Sequence, residues 1–278
     1  EKNTFGKGSG NADRSQNKRD HVKAPGEYAK IMLPELTFPY LIPGQEVLLD
    51  DGKIHLKIVE KAENVTENGG ENTQEKRYFA KVLWGGLLKS RKSAALPGAK
   101  IYPPTLTNSD LANIKIAKEM GVTGVMQPFV RDHSDLECVK EALREAGAED
   151  IRLFAKIENM DGVRKLEKLL PAADEIVIAR GDLGNAVHLW DLPGVQRQIS
   201  EKCRAAGKPF MVVTQMLASM ERSPVPTRAE VNDIFHAVMD GAASIMVTGE
   251  TAVGDYPVEV IRYMVNTVRS AEKKKIDK

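Results

Sequence analysis

The run Ile151–Ile157 closes as Ala155-Lys156-Ile157-Glu158-Asn159. Side chains alternate along a strand, so Lys156 and Glu158 share one face while Ile157 takes the other. A cation and an anion together at a strand end differ from ordinary strand filling, and the plainer alternative is a structural ion pair. The next apolar run ends Ala179-Arg180-Gly181-Asp182-Leu183-Gly184. Its glycines permit a tight turn and close backbone approach. A short helix starting there would offer free N–H groups to an anion. Asp182 would then stand beside Glu158, one strand over. Two converging carboxylates suit a hard divalent cation: Mg²⁺ takes one or two protein carboxylates and leaves its other positions to water and substrate. Taken alone, Asp182 reads equally as an N-cap or turn residue. Two later runs end Val213-Thr214-Gln215-Met216 and Val247-Thr248-Gly249-Glu250-Thr251, so four strand ends deliver polar groups.

The elements that must position these groups alternate between strand and helix after residue 95. Apolar runs at Val122–Gln127, Ile151–Ile157, Glu175–Ala179, Pro209–Val213 and Ser244–Val247 read as strands. Helical patterns follow at Ser109–Met120, Ser134–Ala146, Met160–Leu170, Pro193–Ala206, Thr227–Asp240 and Pro257–Lys274. Near-continuous apolar strands between helices indicate an α/β fold with a parallel sheet covered on both faces. Successive βα units favour a TIM-type barrel, whose chemistry sits at the C-terminal strand ends; a doubly wound sheet is the alternative. Thr227 and Glu230 form a capping-box pattern, which pure helix initiation explains. Before residue 95 the runs Ile31–Leu33, Glu46–Leu49, Ile54–Val59 and Tyr78–Leu83 read as strands of a small β-rich unit. Asp50-Asp51-Gly52 signals a hairpin between two of them. Gly6–Lys23 and Glu63–Lys76 read as polar loops. The expected division is therefore residues 1–95, a β-barrel-like unit, and 96–278, a (β/α) barrel portion carrying the motifs.

Composition removes several function classes. The chain has 278 residues, with Lys plus Arg at 40 against Asp plus Glu at 39. A net charge of +1 gives no basic field for nucleic acid. No run approaches the ~18 apolar residues of a membrane span. Cys138 and Cys203 form no CxxC, which fits the reducing cytoplasm rather than a disulfide scaffold or cysteine zinc site. The five histidines are scattered without ligand spacing, and neither GxSxG nor a P-loop occurs. The first residue is Glu1 rather than Met, which suggests a piece of a longer or processed polypeptide.

At this point the string resembles the pyruvate kinase family. The resemblance rests on the strand-end motifs above, in that family's order, together with Thr214-Gln215-Met216-Leu217-Ala218-Ser219-Met220, Pro226-Thr227-Arg228-Ala229-Glu230 and Gly249-Glu250-Thr251-Ala252. Upstream, Leu49-Asp50-Asp51-Gly52-Lys53-Ile54 and residues 92–98 resemble the family's mobile lid. The resemblance implies phosphoryl transfer from phosphoenolpyruvate to ADP, giving pyruvate and ATP in glycolysis. It implies Mg²⁺ or Mn²⁺ on Glu158 and Asp182, and Lys156 neutralising the phosphoryl group in flight. It places substrate-carboxylate binding at the amides of Ala179, Arg180 and Gly181, and Thr214 near the enolate carbon that must be protonated. Lys92 matches a lid lysine that reaches the nucleotide phosphates. A homo-oligomer is also implied.

This sequence departs from the family pattern in several places. The N-F-S-H-type and D-T-K-G-P-E-type motifs, which supply a phosphate-binding Arg and the potassium ligands, are not found. Potassium would therefore lack its usual ligands here. The expectation is a partial barrel with five of eight strands, not a self-sufficient kinase, and no C-terminal effector domain. Gln127-Pro128-Phe129, Asn185-Ala186 and Ala95 stand where the family usually has other residues. Two alternatives compete: a non-catalytic relative acting as a binding protein, and a Mg-dependent lyase handling enolates, which two carboxylates would also serve.

Overall fold

The computed structural model describes residues 29–50, 52–62, 76–90 and 92–276. The chain divides into two compact units, Glu1–Pro34 and Glu35–Lys278. Of the first unit, residues 29–34 are described and contain no strand. The expected strand Ile31–Leu33 is thus corrected: the run is only three residues long and stops at Pro34, which has no N–H to give a ladder. The loop Gly6–Lys23, and Glu63–Lys76 apart from Lys76, lie outside the described residues.

The second unit opens with a 3₁₀ turn, Glu35–Tyr40, and an antiparallel sheet. Its strands are β1 (Glu46–Leu49), β2 (Ile54–Lys61), β3 (Tyr78–Trp84) and β4 (Ala94–Ala95), in the order β3-β2-β1-β4. β1 and β2 pair through Leu49↔Ile54, so the expected hairpin forms. Its connection needs left-handed backbone at Asp50 (φ 49°) and at Gly52 (φ 82°), which glycine adopts without a Cβ clash. Val47, Leu49, Ile54, Leu56 and Ile58 are buried. The two-residue β4, unforeseen from sequence, is too short to show a period.

The remaining strands form a parallel sheet in chain order: β5 (Gly124–Gln127), β6 (Arg152–Ile157), β7 (Glu175–Ala179), β8 (Phe210–Val213) and β9 (Ser244–Met246). The sheet's two faces follow from the period of two. Leu153, Ala155, Ile157, Ile176, Ile178, Phe210 and Val212 join the main core with the helices. Val177, Ala179 and Val213 form a second small cluster, with Phe154, Met211 and Met246 packed against it. Lys156 lies in phase with this second face. On the same face Glu175 accepts from Ser244 Oγ at 2.6 Å, reaching across the intervening β8, and from Arg152 Nη2 at 3.2 Å.

The helices are α1 (Asn108–Ala117), α2 (His133–Glu145), α3 (Met160–Arg164), α4 (Leu166–Leu169), α5 (Arg180–Ala186), α6 (Leu192–Ala205), α7 (Arg228–Met239), α8 (Gly249–Ala252) and α9 (Pro257–Ile276). A 3₁₀ turn, Ala218–Glu221, lies between β8 and α7. Capping boxes start α1 (Thr107/Asp110), α2 (Asp132/Asp135) and α7 (Thr227/Glu230). The expected single helix Met160–Leu170 is split at Lys165, whose ψ of 9° leaves the helical well. The split lets Leu166 and Leu169, both fully buried, turn to the core. The architecture is α/β: a partial (β/α) barrel with parallel strands and a separate β-rich sheet. No helix among the described residues is long and apolar enough to cross a membrane.

Candidate active site

The C-terminal ends of β6, β7 and β8 gather the polar groups. On β6, Lys156 Nζ stands 2.7 Å from Glu158 Oε1. Glu158 is 3% exposed, whereas the Lys156 side chain keeps 24%. A buried carboxylate needs compensating partners. Glu158 has a second: its Oε2 accepts from the Phe129 amide at 2.6 Å. Phe129 holds left-handed backbone, φ 51°, uncommon for a bulky residue and a form of strain that collects at functional sites.

β7 runs directly into α5. Ala179 occupies the N-cap position and supplies no side-chain cap, so the first-turn amides depend on other acceptors. One is found across the rim: Gly181 N–H donates to Thr214 Oγ1 at 2.8 Å. Thr214 and Gln215 both hold positive φ, 71° and 53°. Arg180 fastens this turn, donating to the Thr214 carbonyl from Nη2 at 2.7 Å and Nε at 3.3 Å. Arg180 is itself held by Asp233 of α7, Nη1 to Oδ2 at 2.5 Å. Asp182 lies half-buried in the first turn of α5, one strand over from Glu158.

The structure therefore brings Lys156 to Glu158, and joins Arg180 and Gly181 to Thr214. It seats Lys92 elsewhere, in the segment leading into β4, with Nζ 2.9 Å from Asp50 Oδ1 in the β1–β2 connection. Hydrogen bonding from Lys92 lowers the Asp50 pKa, overcoming the opposing effect of burial. At the end of β9, Glu250 is buried and accepts from the amides of Leu217 (3.1 Å) and Thr248 (2.8 Å). It ties the β8 and β9 loops together. Sequence reasoning missed Phe129 and Asp233 as partners of the site. The Gln127-Pro128-Phe129 departure was a signal for the first. Nothing marked Asp233, which meets Arg180 across 53 positions of chain.

The residues present suit a divalent cation. Glu158 and Asp182 are hard oxygen donors at neighbouring strand ends, and Mg²⁺ needs no more than one or two protein carboxylates. Among the described residues no group of three His, Cys, Asp or Glu side chains gathers as a metal cage.

The family model for the pyruvate kinase barrel domain matches residues 17–261. The chain belongs to the pyruvate kinase family. It is 40% identical over 233 residues to pyruvate kinase of Geobacillus stearothermophilus, covering 82% of this chain and 38% of that one. It is 38% identical over 229 residues to pyruvate kinase of Bacillus licheniformis, covering 82% and 37%. Pyruvate kinase of Chlamydia trachomatis serovar D is 34% identical over 242 residues, covering 87% and 47%. The chain thus spans less than half the length of these curated relatives.

Proposed function

We propose that this chain carries phosphoryl-transfer machinery of the pyruvate kinase type, moving the phosphoryl group of phosphoenolpyruvate to ADP. The observation that carries this reading is the Lys156 ammonium 2.7 Å from the buried Glu158 carboxylate at the C-terminal rim of the parallel sheet. Glu158 and Asp182 would hold Mg²⁺ or Mn²⁺, which when bound neutralises phosphate charge. Lys156 adds a mobile positive charge beside that carboxylate, where the phosphorus–oxygen bond to the enolate breaks and the bond to ADP forms. Such a reaction asks for positioning and charge neutralisation more than for covalent chemistry. The backbone amides where β7 passes into α5, at Ala179, Arg180 and Gly181, would receive the substrate carboxylate, which then competes with Thr214 Oγ1 for the Gly181 N–H. That competition would leave the Thr214 hydroxyl next to the enolate, where a proton must arrive to give pyruvate.

We assign residues 1–95 to a lid and 96–278 to the barrel portion; the antiparallel sheet ending at Ala95 supports this division. Lys92 would leave Asp50 to reach nucleotide phosphates as the lid closes and excludes water. Both cysteines are free, Cys138 exposed and Cys203 buried, as suits a cytoplasmic enzyme.

A lactate-dehydrogenase-coupled assay with phosphoenolpyruvate, ADP, Mg²⁺ and K⁺ tests the reading on this chain and on any longer natural polypeptide containing it. Lys156→Met should abolish turnover while Mn²⁺ still binds; comparable turnover would remove Lys156 from the chemistry. Glu158→Gln should weaken Mn²⁺ in a titration followed by electron paramagnetic resonance. Unchanged affinity would refute ligation.

A further inference from the structure

We propose that Asn159 is a positioning residue for Glu158, acting through the strained turn at Phe129. This rests on the assignment of Glu158 as a metal ligand. The Asn159 side chain works in two directions. Its Oδ1 accepts from the Gly162 amide at 2.9 Å and caps α3. Its Nδ2 donates to the Val130 carbonyl at 3.1 Å. The Val130 amide in turn donates to the Lys156 carbonyl at 3.2 Å. Val130 is completely buried. Gly162 lies so close that a Cβ there would sit 2.6 Å from the Val130 oxygen.

The turn after β5 is thus stapled to the end of β6 on both sides of Val130. One residue earlier, Phe129 is left-handed and half-exposed, so its ring does not anchor it. Its amide nonetheless aims at Glu158 Oε2 over 2.6 Å. A bulky residue keeps such a backbone only where its surroundings over-determine it. Here the Gln127 side-chain amide holds the Pro128 carbonyl on one side and the hydrogen bonds at Val130 hold the other, where Asn159 supplies the one from a side chain. With Oε2 held by Phe129, the Glu158 oxygen left beside Lys156 is Oε1. Asn159 therefore fixes which carboxylate oxygen faces the lysine, and that oxygen is the one Glu158 would offer to a divalent cation. Groups that orient a ligating carboxylate commonly change metal affinity by about 10–100-fold when removed.

The test uses Asn159→Ser and Asn159→Asp. Both keep an oxygen able to cap α3 and lose the donor to Val130. In the metal-free protein the Phe129 amide proton resonance should move upfield as its bond to Glu158 lengthens. Mn²⁺ affinity should fall about tenfold, with thermal melting close to the parent. A purely structural cap would leave both readouts in place, and Mn²⁺ affinity within about twofold with an unmoved Phe129 resonance overturns the role. Glu158→Gln is titrated alongside. If it leaves Mn²⁺ binding intact, the ligand assignment fails and the positioning role with it. If it abolishes binding while the Asn159 variants bind normally, only the positioning role is lost.

Discussion

Glu158 and Asp135 are both buried carboxylates close to the β5 turn, and their surroundings set them different tasks. Asp135 is saturated: it accepts from the Arg131 amide (2.8 Å), Nε (3.1 Å) and Nη2 (2.6 Å), and from Thr105 Oγ1 (2.5 Å). Burial opposes its charge, but the hydrogen bonds from Arg131 and Thr105 prevail and hold its pKa at about 2. A carboxyl with a depressed folded pKa stabilises the fold above its unfolded pKa and loses that contribution as pH falls to the folded value. The window here runs from about pH 4 to about pH 2. Asp135→Asn should therefore lower stability at neutral pH by on the order of 2 kcal/mol and flatten the acid limb of a denaturant–pH series. An unchanged acid limb would contradict the assignment. Glu158, by contrast, has one amide and one lysine as partners, which leaves its Oε1 side able to exchange partners. The pairing of Lys156 with Glu158 was legible in the sequence because alternation along a strand is a geometric rule. The left-handed backbones at Phe129 and Thr214 were not. Non-glycine residues enter that region under tertiary compulsion and leave no mark in composition.

At the scale of elements, the helix starts carry much of the local information. Thr227 caps α7 through the Glu230 amide, while the Glu230 carboxylate returns to Thr227 and also takes Ser219 N (2.7 Å) and Oγ (2.6 Å). Glu230 therefore joins α7 to the 3₁₀ turn after β8, whereas Thr227 serves its own helix. Thr227→Ala should cost about 1 kcal/mol in chemical denaturation, and Glu230→Ala measurably more; the reverse order would show that the link to Ser219 is inert. The capping box was visible in sequence, but its second partner lies eleven residues back and was not. Element types were legible wherever an apolar period ran for several residues. The exceptions were short. Ile31–Leu33 ends at a proline, β4 has two residues, and the Met160–Leu170 pattern is divided so that Leu166 and Leu169 reach the core.

At the scale of the molecule, β7 is the centre of gravity. All five of its residues are buried, and it has a parallel neighbour on each side. β5 and β9 each pair with one strand among the described residues, and β9 keeps partial exposure throughout. Hydrogen exchange followed by mass spectrometry should find the β7 amides slowest and β9 among the first strands to open, since opening free energy follows burial and pairing. Uniform protection across the sheet would argue against this gradient. The two faces of the sheet were predictable from alternation. The reach of Ser244 across β8 to Glu175 was not, because it depends on curvature that a one-dimensional pattern does not record.

The strand order of the parallel sheet has a consequence for how the chain is made. Because spatial order equals chain order, each strand leaving the ribosome meets as its partner the strand synthesised just before it. Loop-closure entropy is then spent over one βα unit at a time. The polar groups of the rim leave the ribosome in the order Glu158, Asp182, Thr214. Lys156 and Glu158 emerge before the strand that places Thr214, so both members of the ion pair are synthesised before the turn whose hydroxyl receives the Gly181 amide.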